Sequence, residues 1–241
     1  MTMIQVVKRL IGIHWIYYWL LSRYHARLNR RVFNITKMIK ISHSTSALRA
    51  KINRETRNCL SADDNKGFFS DAVKRYGHRD WALPFKSDFA LYAPNIAVID
   101  FLLEHIKDPD SETILDYACG LGYLLTYLRE LGFTNLYGYD NFQQVRERSI
   151  RCFLRSFGLE DSLIADRSKV REINPTIMCI IGIPYNWLDL DIIEFLLEKD
   201  SLKFVLLDAL YCRSFRHPNY QLLKRYHGLL NVYEKIRSEE Q

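Results

Sequence analysis

Apolar and polar positions fall into two kinds of block along the second half of the chain. Ile114-Leu115, Asn135–Tyr139, Ser162–Ala165, Thr176–Ile181 and Phe204–Leu207 are short apolar runs of strand length. Between them, apolar residues recur three and four positions apart, as helices require. Leu124, Leu125, Leu128 and Leu131 form one such face, and Ile192, Ile193, Leu196 and Leu197 another. Phe142 to Phe157 has helical character with an arginine-rich outer face, and Gly132 and Gly158 supply stops. Upstream, Ile96, Ile99, Leu102, Leu103 and Ile106 line a helix whose first turn carries Pro94. The run Thr176–Ile181 is apolar without a break, as in a strand covered on both faces of a parallel sheet. Downstream, Leu222, Leu223 and Tyr226 lie at helical spacing between Pro218 and Gly228, and Leu229–Ile236 reads as a sixth strand.

Strands and helices in alternation predict an α/β fold with a doubly wound, mainly parallel sheet. The organisation expected is a basic, aromatic, helical N-terminal arm over residues 1–60, a connector over 61–94, and the α/β domain over 95–241. The connector holds an aromatic stretch broken by Pro84 and Pro94. Residues 41–70 are polar with little periodicity and read as linker, helical in part.

One stretch carries chemistry. Thr113 to Asp140 reads as strand, turn of small residues, helix and strand, with acids at the ends of both strands. Ala118, Gly120 and Gly122 make a turn on which a ligand can lie close to the backbone. Asp140 falls where a ribose-binding acid belongs in a nucleotide-binding α/β unit. The third glycine of a dinucleotide fingerprint is absent, since Leu125 stands there.

Asp116-Tyr117-Ala118-Cys119-Gly120-Leu121-Gly122 with Asp140 resembles the first two motifs of the class I S-adenosylmethionine-dependent methyltransferases, which have a Rossmann-like fold. The resemblance implies S-adenosyl-L-methionine as cofactor. Asp116 would face its ammonium group, with Ala118, Gly120 and Gly122 beneath its backbone-bound part. Asp140 would contact the ribose, Asn141 beside it the cofactor, Asp166 after strand three the adenine amine, and Gly182 the cofactor after strand four. By the same resemblance, residues 61–94 would act as a lid, with Trp81, Phe85, Lys86 and Tyr92 as candidate contacts. The family's sheet ends in a seventh, antiparallel strand. Only Arg237 to Gln241 remain for it, so the chain omits that strand or the count is shifted by one.

The segment Gly182-Ile183-Pro184-Tyr185-Asn186-Trp187 sits where amino-group methyltransferases carry Asn/Asp-Pro-Pro-Tyr. Gly182 replaces the residue that would bond the target amine, which disfavours an amine or amide acceptor. A hydroxyl acceptor benefits from a base. His217, in the loop after strand five, is the candidate, expected on the same sheet edge as Asp208 and Tyr185; its competing reading is a capping or packing residue. Tyr185 would orient the substrate or close the cofactor pocket.

Charge sharpens the picture of the arm. Residues 1–60 hold 12 Lys/Arg against Glu55 alone, whereas the remainder holds 22 against 27 acids. Leu10–Ser22, with Trp15, Tyr17, Tyr18 and Trp19, is too short for the roughly 20 residues of a spanning helix. It suits an interfacial helix with basic flanks for anionic lipid, a helix packed on the domain or a partner, or a nucleic-acid contact. The five cysteines have no metal-ligand spacing and read as free thiols of a reducing compartment, so no metal is expected. The leading expectation is a cytoplasmic methyltransferase, peripheral at the inner membrane face. Its acceptor would be a hydroxyl or other group of a small-molecule, glycan or lipid-linked compound. A non-catalytic assembly protein docking through residues 1–31 is the alternative, and an RNA methyltransferase the third reading.

Overall fold

The computed structural model describes residues 42–59, 93–140, 144–183, 188–209, 215–226 and 228–236. The chain divides into compact units of residues 1–46 and 47–241. In chain order the described helices are α1 (Ser42–Cys59), α2 (Ala93–His105), α3 (Tyr123–Glu130), α4 (Gln144–Arg155), the single turn α5 (Arg167–Val170) and α6 (Leu190–Leu197). The strands are β1 (Thr113–Tyr117), β2 (Asn135–Tyr139), β3 (Leu163–Ile164), β4 (Ile177–Ile180), β5 (Phe204–Asp208), β6 (Tyr220–Tyr226) and β7 (Leu230–Lys235).

The seven strands form one sheet in the order β3-β2-β1-β4-β5-β7-β6. β3, β2, β1, β4 and β5 pair in parallel. β7 is antiparallel to both its neighbours, so β6 runs in the direction of β5. This is a Rossmann-like, doubly wound sheet with an antiparallel strand inserted near one edge.

Strand alternation divides the core into two layers. Leu115, Tyr117, Met178, Ile180, Val205 and Leu207 face α6, where they cluster with Ile192, Ile193, Leu196 and Leu197. Their neighbours along the strands face the other way. There Phe101 of α2 meets Phe204 edge-on at 5.3 Å, and Leu125 of α3 closes over Gly138. β4 is buried at every position, as its unbroken apolar run anticipates.

Two expectations are corrected and a third is made specific. The stretch after Pro218 is not a helix but β6, an edge strand that buries only its end residues Tyr220 and Tyr226. A register shift between Leu222 and Lys224 breaks its alternation, so the sequence shows neither strand period nor a continuous apolar face. With β6 counted, β7 is the seventh, antiparallel strand, and none is missing. Second, residues 42–59 are the helical part of the stretch read as linker. Among the described residues Leu48, Ile52 and Thr56 are buried, and the polar and charged residues between them in the sequence weaken the periodic signal. Third, not all thiols are free, because Cys59 and Cys152 form a disulfide with Cα atoms 5.7 Å apart. Cys119 and Cys179 are free and buried.

Among the described residues no helix is long and apolar enough to cross a membrane, and no His, Cys, Asp and Glu cluster could hold a metal ion. Leu10–Ser22, Trp81, Phe85, Lys86, Tyr92, Asn141, Tyr185 and Cys212 lie outside the described residues.

Candidate active site

The two acids of the Thr113–Asp140 stretch meet at the carboxyl edge of the sheet. Adjacent parallel strands in register put Tyr117 opposite Tyr139 at the ends of β1 and β2. The chain leaves β1 through a turn hung on β2, where the Tyr139 carbonyl accepts the amides of Ala118 (2.7 Å) and Cys119 (3.0 Å). Ala118 takes φ 68° to make this bend, a left-handed conformation that costs a residue bearing a Cβ about 1–2 kcal/mol. The Asp140 carboxylate then accepts the Gly120 amide at 2.9 Å.

Gly122 begins α3 at φ 76° with no side-chain cap. A Cβ there would lie 2.8 Å from Leu154 Cδ2 of α4. Gly138 of β2 is equally confined, since a Cβ would lie 2.7 Å from Leu125 Cδ1 and 2.9 Å from Cys119 Sγ. Small residues here let the turn, α3 and α4 close on the sheet.

Asp116 is 4% exposed, flanked in register by Gly138 and Cys179, neither of which offers it a cation. Burial first, and the charge of Asp140 second, push its carboxyl up to about 7. A cation bound beside it would reverse both effects, because the ionised form would gain a partner. The site thus has a buried acid poised between forms, a second acid fixed on a backbone amide, and a glycine turn leading into the start of α3.

Asp166 lies just past β3 at the same edge but is exposed. Its Oδ1 accepts the Ser168 amide at 2.9 Å and the Ser168 hydroxyl at 2.7 Å, and these bonds lower its pKa. It therefore caps α5 in this structure. Gly182 follows β4 at φ 77°, and its amide donates to Asp208 Oδ2 at 3.3 Å.

His217 is not at this edge. β6 runs with β5, so its first residue Tyr220 is paired through Lys235 at the level where β5 begins. His217 lies three residues earlier, at the amino edge. Its Nε2 is 3.3 Å from Glu198 Oε1 just past α6, and its Nδ1 accepts the Asn219 amide at 3.2 Å. The length of the strands separates it from Asp116 and Asp140, so it cannot act as a base at their edge. It also helps line an open cavity of about 550 Å³ with Phe215, Arg216, Tyr220, Leu222 and Arg225, beside the outer strands rather than at the acids.

Two features at the carboxyl edge escape the motif reading. Tyr117 and Tyr139 pack with ring centroids 5.0 Å apart, and Tyr139 donates to Asp189 Oδ2 at 3.3 Å. Burial, before the nearby acid, pushes Tyr139 up to about 12, while the buried Tyr117 hydroxyl has no hydrogen-bond partner among the described residues. Asp208 is fully buried and fixes the Gly182 turn. The tyrosines were findable as a cross-strand pair, each at the last position of its strand. Asp208 stood visibly at a strand end, but its bond to Gly182 depends on strand order.

No family model matches the sequence, and no curated protein matches it. Among solved structures, it is similar to magnesium protoporphyrin IX methyltransferase from Synechocystis PCC 6803 with bound S-adenosylmethionine, at 13% identity and a TM-score of 0.48 over 73% of this chain and 98% of that one. It is similar to ribosomal protein L11 methylase from Lactobacillus delbrueckii subsp. bulgaricus, at 15% and 0.43 over 62% and 81%. A third is an rRNA methylase from Streptococcus thermophilus, at 19% and 0.40 over 61% and 99%. Likenesses this remote do not bear on chemistry, which rests on the residues themselves.

Proposed function

We propose that this chain is an enzyme that transfers the methyl group of S-adenosyl-L-methionine to an acceptor at the carboxyl edge of the sheet. The observation that carries the reading is the pairing of Asp116 and Asp140 across the Ala118–Gly122 turn, with Asp140 bonded to the Gly120 amide. The sheet supports it. A dinucleotide-binding sheet has the order 3-2-1-4-5-6, whereas here an antiparallel β7 lies between β5 and β6.

In this reading Asp116 binds the ammonium of the methionine part, and Ala118, Gly120 and Gly122 bring the backbone against it. Asp140, with Asn141, takes the ribose hydroxyls, and Gly182 lies along the cofactor. Asp166 reaches the adenine amine through the oxygen that Ser168 leaves open. The bound cofactor supplies an electrophilic methyl group, and the protein's part is alignment of the acceptor.

Gly182 stands where an amine-binding Asn or Asp would be, and its amide is engaged by Asp208. This favours a hydroxyl or other group of a small-molecule, glycan or lipid-linked acceptor, with Tyr185 orienting it. The arm would hold the enzyme on an anionic membrane surface at the cytoplasmic face. An RNA acceptor is the second reading, favoured by the 12 basic residues of positions 1–60.

Calorimetry with S-adenosylmethionine and its demethylated product tests the core of the proposal; absence of heat with both overturns it in favour of a non-catalytic assembly role. Loss of vesicle flotation on deleting residues 1–31 supports the membrane reading. Salt-sensitive RNA retention lost with the same deletion supports the RNA reading instead.

A further inference from the structure

We propose that Cys59 and Cys152 form a reversible redox latch that holds α1 against α4 and thereby sets cofactor affinity at the Ala118–Gly122 turn. The coupling to cofactor rests on the functional reading above. The two cysteines are 93 residues apart in sequence and are joined in the fold. Cys152 is exposed and Cys59 half-buried, so a dissolved thiol can reach the bond. Cys119 and Cys179 are buried, and burial pushes both thiols up, which leaves them unreactive.

The bond is placed where it can act on the turn. On one side it secures α1, which buries Leu48 and Ile52 and, among the described residues, makes a few polar ties to the domain. Thr56 Oγ1 lies 3.2 Å from the Tyr123 hydroxyl, Ser156 donates to Glu55 at 3.4 Å, and the Lys51 ammonium sits 4.5 Å from the Phe157 ring centroid. On the other side it is anchored in α4, where the next residue, Phe153, packs edge-on to Tyr123 at 5.4 Å. Leu154, one further on, backs Gly122. Tyr123 is the first residue of α3, directly after the turn, so both sides of the latch converge on it.

Opening is thiol–disulfide exchange. A thiolate of an external dithiol attacks Cys152 Sγ, the bond breaks, and Cys59 leaves as a thiolate that takes up a proton. The dithiol's second sulfur then attacks the mixed disulfide, releasing Cys152 and leaving the reagent oxidised by two electrons. Closing is the reverse, with an external disulfide as oxidant.

The test uses the full chain equilibrated in oxidised or reduced dithiothreitol, with thiol titration, calorimetry with the demethylated cofactor, and amide exchange over residues 47–59. Oxidation should remove two thiols, slow exchange in that helix and tighten binding at least ten-fold. Cys59→Ser and Cys152→Ser should behave as the reduced protein in either buffer. Equal affinity in the two states overturns the coupling, and unchanged exchange or thiol count overturns the latch. Redox-dependent exchange without cofactor binding in either state instead overturns the cofactor reading while upholding the latch.

Discussion

Asp140 reaches back 20 residues to accept the Gly120 amide at 2.9 Å, so the end of β2 and the turn after β1 are held by one carboxylate. Ribose binding at this acid would use its remaining acceptor positions while the turn stays closed. Two substitutions separate the roles. Asp140→Asn keeps an acceptor for Gly120 and should preserve folding, while Asp140→Ala loses both. A hydrogen bond to a charged group contributes about 1.5–3 kcal/mol. Calorimetry should therefore show cofactor binding weakened by roughly 10- to 150-fold in Asp140→Ala, with a smaller loss in Asp140→Asn.

Asp116 makes stability depend on pH in the unusual direction for a carboxyl group. Its pKa rises from 3.8 to about 7 on folding, so between these values the native state holds a proton the unfolded chain has released. Its stabilising contribution is complete below pH 3.8 and is lost as pH rises through 7. The full difference is about 4 kcal/mol. The cofactor-free protein should melt at lower temperature at pH 8 than at pH 6, and Asp116→Asn should flatten that fall while impairing cofactor binding. A melting temperature that climbs from pH 6 to 8 in both proteins would count against it.

Gly138→Ala should destabilise the domain by about 1–3 kcal/mol, the usual cost of overpacking, because the new methyl meets Leu125 and Cys119 under 3 Å away. Urea melts would show a lower midpoint with an unchanged slope.

Ala118→Gly should act the other way. Glycine relieves the left-handed strain at φ 68° but adds freedom to the unfolded chain. The net gain expected is up to about 1 kcal/mol, read from the same melts, with cofactor affinity kept.

His217→Gln should leave cofactor affinity and methyl transfer unchanged, because His217 belongs to the amino edge and contacts Glu198 there. Its loss should appear as reduced thermal stability alone. A large drop in turnover with stability intact would overturn that assignment.

How far the sequence could be read depended on burial. β1, β2 and β4 lie in the interior of the sheet, so apolar runs and glycine punctuation mark them directly, and the Asp116–Asp140 site follows from local spacing. β6 lies at the edge with five successive exposed residues, and nothing in Gln221–Arg225 distinguishes strand from helix. That single error also moved His217 to the wrong edge, since the direction of β6 decides where the preceding loop ends. The Cys59–Cys152 bond had no local signal at all, because it depends on how α1 packs.

The outer strands carry one last consequence. Parallel strands such as β5 and β6 are ordinarily joined through a crossover of a dozen or more residues, usually a helix; here only residues 209–219 join them. β7 then returns beside β6 as a hairpin, with Gly228 and Leu229 in its turn. Every contact within that hairpin is short-range in sequence, and β7 alone ties it to β5. Such a unit closes quickly, and within it β6, paired on one side and exposed over five successive residues, opens more cheaply than the interior strands. Its amides should exchange ahead of those in β1 and β4, so that the sheet frays from the β6 edge while the acids near its centre stay in place.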